Sequence, residues 1–553
     1  MNQPQVVGQP TTHQHFSYGI NRMADLLAPT LGPTGGVVVN HQPSTSNKIE
    51  FLDDSATIVR RILSLGSPQH DVGAMVMRNL IWRVGQTVGD GGTVAAILAR
   101  AIYNESRRMV AAGANSVRVT SGINKAVDVA IASLREQAKV VDSENDLVSV
   151  ARTIIGEDAL SAMVGEMSFL LGPDAHVVVE KYVAPYLQRR YVAGSHYKAD
   201  ILSMYFYTQA EQKKTVLSAP AIALTEDRLS TVEEVLPLME AAIRRGFKSL
   251  VIVAMDVKAE ALGMLVSNNQ LPEDKKKLDL LAVKLKDVGD ERRWALQDLA
   301  LMTGATVLGN DMDRKTTLAV DSDLGEAQRA EYFNKAFVVV SNPSARAAIQ
   351  QEVTMLRNYV TTLRLDEEDR PKIVKRLGRL TGGIGELKVG ANSKLERQLM
   401  HDNAERAFKV LSAAQYNGVI AGGGGGYLHC LPALQALIDT GTSPSLNGSG
   451  PIMDDEVFGV QVVMQALQEP MRQILVNTGV SSPAVYIQRV QDAGGAATFD
   501  AMSGEVVDAF EGGVLDVTDV SVTSLKTAAS GATMALSTDA IVYHKKPEQS
   551  LEP

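Results

Sequence analysis

Cysteine is nearly absent from this chain, with Cys430 as the only one in 553 residues. A lone cysteine excludes an intrachain disulfide and any zinc site built from several cysteines, and it fits a reducing, cytoplasmic location. We expect Cys430 to be a small buried hydrophobe. Apolar runs such as Leu250–Met255 are too short to span a membrane, so no membrane partner is expected. The first residues lack a basic region followed by an apolar stretch, which predicts no signal peptide.

An excess of positive charge is also missing. The chain carries 54 Lys and Arg against 63 Asp and Glu, a net charge of −9. Since nucleic-acid binding depends largely on cations that neutralise phosphates, no nucleic-acid partner is expected. No Gly-x-x-x-x-Gly-Lys-Ser/Thr motif occurs, and Tyr427 stands where a dinucleotide motif starting at Gly422 would need its last glycine. These absences disfavour P-loop ATPases, kinases and dinucleotide-binding enzymes.

Two short glycine-bearing stretches, Thr30–Pro33 and Gly89–Thr93, carry the strongest positive signal. Residues without a Cβ let the backbone approach phosphate closely, and the N–H groups then face the anion. Apolar residues between 94 and 101 recur at helical spacing, so the second stretch leads into a helix N-terminus, which favours phosphate. Asp90 beside that phosphate makes sense as a magnesium ligand. The alternative is an ordinary capped helix after a glycine turn.

The pattern of predicted secondary structure changes twice along the chain. Residues to about 136 are helix-rich, strands and helices alternate in the middle, and helical patterns return from about Gln350. The alternation predicts a partly parallel α/β domain. Glycines lie where the chain enters and leaves the middle region, Gly194 at one connection and Gly382 with Gly383 at the other. These crossing glycines are either hinges or simple tight turns. The predicted middle strands are 249–254, 278–285, 305–308 and 336–341, with a helix over 231–240.

Four segments in this order and spacing, residues 25–39, 89–127, 418–424 and 513–516, closely resemble the bacterial GroEL-type (group I) chaperonins. The resemblance runs from about Phe16 to about His544 and identifies the chain as a divergent member, either a specialised paralogue or a phage-encoded protein. It implies a multidomain fold: a mainly α-helical equatorial domain, a small α/β intermediate domain and an α/β apical domain that binds polypeptide. The implied ranges are 1–136 and 418–553 (equatorial), 137–193 and 383–417 (intermediate), and 194–382 (apical), with the three crossing glycines as hinges between intermediate and apical domains.

The resemblance also implies the activity. Such proteins are ATP-dependent ring chaperonins that use ATP and Mg²⁺ to fold non-native polypeptides inside a central cavity. The expected partners are further copies of the chain in one or two rings, commonly of seven subunits, non-native polypeptide clients, and a co-chaperonin lid where the system has one. The expected location is the cytoplasm of a bacterium or of an infected host cell. Two alternatives stay open: a ring-forming, nucleotide-binding holdase or scaffold with little ATP hydrolysis, and an unrelated α/β enzyme.

The nucleotide site implied by the resemblance can be assigned residue by residue. Two hydroxyls of the family pattern are missing, because Gly92 and Val94 stand where threonine is usual. Asp90 is the expected magnesium ligand and Asp516 the expected partner of the ribose hydroxyls. The full implied set is Thr30, Leu31, Gly32, Pro33, Asp90, Gly91, Gly92, Thr93, Val94, Gly423, Asp500, Ala501, Met502 and Asp516.

Two further departures bear on ATP hydrolysis. The segment 51–57 aligns with the family's Thr-Lys-Asp-Gly stretch and keeps the aspartate as Asp54, but Asp53 replaces the lysine. Arg406 stands at the aspartate that orients the attacking water, and an arginine cannot accept a proton. We therefore expect slow hydrolysis, with Asp54 as the remaining catalytic carboxylate. Arg406 could instead be a phosphate-binding cation, or form a surface salt bridge with Asp402.

The polypeptide-binding surface implied by the resemblance falls on apolar residues of the middle region. Without the resemblance, apolar residues at helical spacing would be read as core. An exposed apolar surface can bind many unfolded chains, because burial of apolar area is non-directional. The implied residues are Ile201, Tyr205, Phe206, Leu236, Met239, Leu262 and Val266.

Overall fold

The computed structural model describes residues 5–42, 48–173, 176–209, 213–272, 275–310, 314–333, 335–362, 370–381, 383–441 and 454–543. The chain divides into two compact units. The first contains residues 1–173, 181–187 and 389–553, and the second contains residues 174–180 and 188–388. Most of the expected intermediate domain falls in the first unit, and the division into three domains stays a prediction.

The first unit is mainly helical, as the sequence predicts. Asp54 begins one helix by accepting backbone hydrogen bonds from Ala56 and Thr57, and Ser143 begins another in the same way. The helices are α1 (Thr11–Leu27), α2 (Ser55–Arg61), α3 (Pro68–Val88), α4 (Gly92–Ala111), α5 (Ser116–Glu136), α6 (Glu144–Ile155), α7 (Asp158–Leu171), α13 (Lys394–Asn417), α14 (Gly425–Leu428), α15 (Leu431–Thr440), α16 (Asp454–Ala466), α17 (Glu469–Asn477), α18 (Pro483–Ala493) and α19 (Thr518–Leu536).

Four antiparallel strand pairs are found among the described residues of the first unit. The outermost elements of the described chain meet in one of them, where Val6 is the cross-strand partner of Val542. The pairs are β1 (Gln5–Gly8) with β21 (Ala540–Tyr543), β2 (Val38–Gln42) with β3 (Lys48–Leu52), β17 (Val419–Ala421) with β20 (Leu515–Val517), and β18 (Ala497–Asp500) with β19 (Glu505–Asp508).

Helices α1 to α5 and α14 to α19 of the first unit share one hydrophobic core. Helices α5 and α16 approach most closely at Gly122, where an added Cβ would lie 2.0 Å from the backbone oxygen of Glu456. Only glycine fits such an approach. Cys430 is fully buried in this core, which confirms its expected role as a small hydrophobe. No described helix of either unit is both long and apolar enough to cross a membrane.

The second unit is built on an eight-stranded sheet with the order β13-β8-β10-β12-β6-β15-β14-β7. Strands β8, β10, β12 and β13 run parallel, and their nearly continuous apolar character reflects burial on both faces. A smaller sheet has the order β4-β16-β5. The strands are β4 (His176–Tyr182), β5 (Gln188–Ala193), β6 (Ser195–Ile201), β7 (Thr215–Ser218), β8 (Ala221–Thr225), β9 (Arg228–Leu229), β10 (Ser249–Ala254), β11 (Asp256–Val257), β12 (Asp279–Leu285), β13 (Val307–Leu308), β14 (Gly325–Phe333), β15 (Ala336–Ser341) and β16 (Gly383–Gly390).

Five helices accompany these strands. The first begins with a capping box in which Thr231 and Glu234 satisfy each other's backbone groups. The helices are α8 (Val232–Arg244), α9 (Ala259–Asn269), α10 (Asp290–Thr303), α11 (Arg346–Thr362) and α12 (Arg370–Thr381).

The crossing glycines occupy different settings. Gly194 lies between β5 and β6 with φ +129°, and a Cβ there would be 2.9 Å from the backbone oxygen of Val339. Glycine is therefore required at this position for conformation and for space. Gly383 is the first residue of β16, and Gly382 lies outside the described residues. Their role as hinges stays a prediction.

Candidate nucleotide site

The first glycine-bearing loop follows α1. A single 3-10 turn over Ala28–Thr30 leads to Leu31 in extended conformation and then to Gly32 with φ +90°. The side-chain amide of Asn477 donates hydrogen bonds to the backbone oxygens of Ala28 (2.9 Å) and Leu31 (2.8 Å). Asn477 ends α17, about 450 residues away in sequence, so no local pattern could have indicated that it fixes this loop.

The second loop joins two long helices. Gly89 ends α3 with φ +87° and Gly91 begins α4 with φ +89°, a conformation that favours glycine. Asp90 lies between them, so its carboxylate is held beside the N-terminus of a 20-residue helix. The hydroxyl of Ser524 donates to the backbone oxygen of Gly91 over 3.1 Å. The predicted helix start, with glycines on both sides of the carboxylate, is confirmed.

The two loops meet through their threonines. The Oγ1 atoms of Thr30 and Thr93 are 3.3 Å apart, although the residues are 63 positions apart in sequence. Val94 packs against the hydrophobic core, so its side chain takes part in packing. The structure thus brings the predicted first loop and the predicted magnesium-binding loop into one site.

A third loop joins them from the C-terminal half. Gly423 and Gly424 precede α14 with φ +61° and +84°. Their backbone N–H groups donate to the carboxylate of Asp516, which lies on β20. Burial raises the pKa of Asp516 to about 6, and the charge of Asp90 adds to the shift. The carboxylates of Asp90 and Asp516 are therefore close enough for one charge to act on the other.

The expected base-contacting residues lie at the turn between β18 and β19. The carboxylate of Asp500 accepts hydrogen bonds from the backbone N–H groups of Met502 (2.9 Å) and Ser503 (3.2 Å). Asp500 therefore stabilises its own turn. The side chain of Met502 is exposed and Ala501 packs against the core. Contact of this turn with a base stays a prediction.

Arg406 of α13 reaches the same region and binds Asp54. Its Nη1 is 3.1 Å from Oδ1 of Asp54, and its Nη2 donates to the backbone oxygen of Ile154 over 3.1 Å. Its Nε is buried and has no hydrogen-bond partner among the described residues. One turn earlier, Asn403 donates to Asp53 over 2.9 Å. Helix α13 thus contacts both aspartates of the segment 51–57.

The expected alternative, a surface salt bridge between Arg406 and Asp402, is wrong. Asp402 accepts hydrogen bonds from Gln398 (2.7 and 2.8 Å) and lies 3.0 Å from Nδ1 of His401. Spacing along a helix allowed an Asp402 pair, but the carboxylates across the site provide Arg406 with a less exposed partner. Neither the pairing with Asp54 nor the contact between Asn403 and Asp53 has a signal in the local sequence.

The charges of the site do not balance within the chain. Burial lowers the pKa of the Arg406 guanidinium, but the carboxylates of Asp90, Asp54 and Asp53 outweigh this and raise it. Burial raises the pKa of Asp90, and Arg406 acts in the opposite direction. These three carboxyl groups outnumber the one guanidinium, and Asp516 adds another acidic group beside Asp90, so the site has an excess of acidic groups. A divalent cation fits this excess, and Mg²⁺ is usually held by one or two carboxylates together with phosphate oxygens.

The expected polypeptide-binding residues separate into exposed and buried ones. Tyr205 and Leu236 are 54% and 37% exposed. Ile201, Leu262 and Val266 are partly buried against the core of the second unit. For Phe206 (1% exposed) and Met239 (7% exposed) the expectation is wrong, because both side chains lie in that core. Met239 shares the inward face of α8 with Val235 and Leu238, whereas Leu236 faces outward.

A helical unit whose glycine loops converge on buried carboxylates, interrupted in sequence by an α/β unit, defines a chaperonin subunit. The chain belongs to the TCP-1/cpn60 chaperonin family, whose family model matches residues 23–546. It is similar to the chaperonin gp146 from bacteriophage EL 2 (Pseudomonas aeruginosa), crystallised in the presence of ATP-BeFx. Crystal form I gives a TM-score of 0.74 at 17% sequence identity, covering 98% of this chain and 99% of that one. Crystal form II gives a TM-score of 0.65 at the same identity and coverage. The expected chaperonin fold is confirmed.

Proposed function

We propose that this chaperonin binds MgATP between its three glycine loops and uses it to act on non-native polypeptides. The observation that carries the proposal is the convergence of the loops on Asp90, with Thr30 touching Thr93 and Asp516 coupled to Asp90. In this arrangement the N-terminus of α4 faces phosphate and Asp90 holds Mg²⁺, which would neutralise charge on the phosphates. The presence of ATP-BeFx with the phage chaperonin supports nucleotide binding.

We propose that hydrolysis is slow because, within the described part of the chain, Asp54 is already paired and the expected water-orienting aspartate is replaced by Arg406. Asp54 pairs with Arg406 and also caps α2, with Thr57 N–H donating to it over 2.8 Å. Arg406 contributes a cation where Asp53 has removed the lysine, and a guanidinium is a strong donor to phosphate oxygens. Binding and release of clients would then follow nucleotide occupancy with few turnovers. The pairing of Arg406 with Asp54 is the observation that favours this holdase-like alternative.

We infer that the chain assembles with copies of itself into a ring. Two strand pairs of the first unit carry apolar side chains that are about half exposed. Val39 and Phe51 are cross-strand partners on the β2–β3 hairpin, with Ile49 also exposed nearby, and Val6 and Val542 are partners on the β1–β21 pair. Paired apolar residues on narrow sheets are typical of surfaces that are covered on assembly.

The client surface is proposed on the second unit, at Tyr205 and Leu236 together with the exposed parts of Ile201, Leu262 and Val266. The proposal also includes the three-domain division, Gly194 and Gly383 as hinges, and a co-chaperonin lid, which family membership supports.

We also propose a cytoplasmic location, which the lone cysteine supports.

Titration calorimetry with ATP in the presence and absence of Mg²⁺ tests the proposal, followed by phosphate release and suppression of aggregation of a denatured client. We expect Mg²⁺-dependent binding, slow phosphate release, and client capture that ATP changes. A protein that captures no client, or that binds no nucleotide with Mg²⁺ present, would contradict it.

A further inference from the structure

Ser55 occupies the space that belongs to the side chain of residue 92. It is the first residue of α2 and is only 6% exposed. A Cβ added to Gly92 would lie 2.4 Å from Oγ of Ser55 and 2.8 Å from Cγ2 of Ile81, closer than real Cβ contacts. Gly92 is therefore required for as long as the Ser55 hydroxyl and the Ile81 methyl group keep these positions.

The two positions are exchanged relative to the family pattern. Gly92 stands where threonine is usual, and Ser55 stands at the glycine of the Thr-Lys-Asp-Gly stretch. A hydroxyl has been lost from the start of α4 and gained at the start of α2. Because the two side chains compete for one space, the gain at residue 55 replaces the loss at residue 92 from the opposite side.

The Ser55 hydroxyl has no hydrogen-bond partner among the described residues, although its side chain is more than nine-tenths buried. The Oγ atom itself keeps some solvent access, so the hydroxyl is open to water or to a ligand. Ser55 follows Asp54, which binds Arg406, and its Oγ faces the N-terminus of α4 immediately after Asp90 and Gly91. A phosphate bound at that helix N-terminus would be the missing acceptor.

We propose that Ser55 is a triphosphate-binding residue whose hydroxyl donates a hydrogen bond to a phosphate oxygen of ATP. The inference rests on the proposed nucleotide site and adds a residue to it. Ser55 supplies from α2 the hydroxyl that Gly92 cannot supply from α4. Gly92 contributes by leaving the space that the Ser55 side chain occupies.

The first test removes only the hydroxyl. Ser55→Ala should weaken MgATP binding by about tenfold or more, since hydrogen bonds to charged groups are among the stronger ones. Its melting temperature without nucleotide should stay about the same, because the hydroxyl bonds no described residue and the cap by Asp54 is untouched. Ser106→Ala is the matched control: Ser106 is a buried serine of α4 that bonds the backbone oxygen of Ile102 at 2.6 Å. It should bind MgATP like the wild type.

The second test moves the hydroxyl back. Gly92→Thr alone should lower the melting temperature, because its Cβ would lie too close to Ser55 Oγ. The double variant Ser55→Gly with Gly92→Thr removes the closer of the two contacts and leaves the one with the Ile81 methyl group, which a small side-chain shift can relieve. It should melt at a higher temperature than Gly92→Thr alone and bind MgATP within about threefold of the wild type, whereas Ser55→Ala should lose about tenfold.

The outcomes separate the inference from the proposed function. If the wild type binds MgATP but Ser55→Ala binds equally well, the inference is wrong and the nucleotide site stands. A folded double variant that binds as weakly as Ser55→Ala would also overturn it, because the hydroxyl would not act through the shared space. If the wild type binds no MgATP at all, both fail together.

Discussion

Arg406 pairs with Asp54, the guanidinium Nη1 lying 3.1 Å from the carboxylate Oδ1. Arg406, which the resemblance assigns to the position of the water-orienting aspartate, thus binds the carboxylate that was expected to assist hydrolysis. Asn403 binds Asp53 one turn earlier, so the aspartate that replaces a lysine is also held by α13. The two charge changes meet in one cluster, and together they leave the net charge of that cluster unaltered relative to the family pattern.

Restoring both charges should accelerate ATP turnover. In Asp53→Lys with Arg406→Asp, a carboxylate again stands where water is oriented and a cation faces the phosphates. A positioned acid–base group contributes roughly 10²–10⁴-fold, so a steady-state rate at least about tenfold above wild type is expected. Phosphate release at saturating MgATP measures it.

Arg406→Asp alone should weaken MgATP binding, because four carboxylates would then face one another without a guanidinium. Lys394→Asp, at the first residue of the same helix, controls for the added negative charge and should leave turnover unchanged. If the wild type hydrolyses ATP rapidly and the double variant Asp53→Lys with Arg406→Asp is slower, the prediction is contradicted. Arg406 would then promote hydrolysis.

The secondary structure of the second unit follows closely from sequence. Strands predicted over 249–254 and 336–341 are found with those bounds, and the one predicted over 278–285 is β12 (279–285). Continuous apolar runs bounded by turns predict buried strands well, because a strand covered on both faces needs no polar alternation. The resemblance supplied the site, since Thr30 and Thr93 are too far apart in sequence for their contact to follow from spacing.

Sequence could not decide which side of an element faces the core. Tyr205 and Phe206 are neighbours of similar character, yet one is exposed and the other buried. Arg406 had an acidic residue one turn away on its own helix and bound another across the site instead. Both outcomes depend on tertiary packing, which brings together groups that local patterns do not connect.

Removing the Asp90 carboxylate should abolish Mg²⁺-dependent nucleotide binding. Asp90→Ala leaves two of the three carboxylates and no ligand beside the N-terminus of α4. Its melting temperature without nucleotide should not fall, because burial of this charge is unfavourable in the free protein. Calorimetry with MgATP measures the loss, and Asp492→Ala on the exposed face of α18 is the control. Unchanged affinity in Asp90→Ala would show that the site lies elsewhere.

The adjacent residues Tyr205 and Phe206 provide a test of the client surface. Tyr205→Ala should reduce capture of a denatured client with little change in melting temperature, because the side chain is 54% exposed. Phe206→Ala should instead destabilise the second unit by about 3–5 kcal/mol through loss of a buried aromatic ring. Light scattering during client dilution and thermal unfolding separate the two effects. Equal destabilisation by both variants, with capture unaffected, would place Tyr205 outside the client surface.

Charges on the exposed face of the β2–β3 hairpin should break the assembly. Val39→Lys with Phe51→Lys places two like charges on cross-strand partners, which any covering surface would have to desolvate. The double variant should elute from a sizing column as a smaller species than the wild type. Val183→Lys, at an exposed apolar residue outside the hairpin, should leave the assembly intact. A wild type that elutes as a monomer in nucleotide-containing buffer would contradict the assembly proposal.

Asp298 should make the stability of the second unit depend on pH. The residue is fully buried on α10, and its Oδ1 accepts a hydrogen bond from Arg376 of α12 over 2.6 Å. Burial raises its pKa to about 6, against the opposing charge of Arg376. The folded state therefore binds this proton more tightly than the unfolded state, whose carboxyl has its ordinary pKa of about 4. The stabilisation is present below pH 4 and is lost as the pH rises through 6.

Comparison with Asp298→Asn isolates this contribution from the other carboxylates. Because the pKa difference is about two units, the wild type should lose up to about 3 kcal/mol relative to the variant between pH 4 and pH 7. Urea unfolding of both proteins across this range measures the difference. Asp290→Asn, at an exposed carboxylate near the start of the same helix, should follow the wild type throughout. Wild-type and Asp298→Asn curves that stay parallel from pH 4 to pH 7 would show that Asp298 keeps an ordinary affinity for its proton despite its burial.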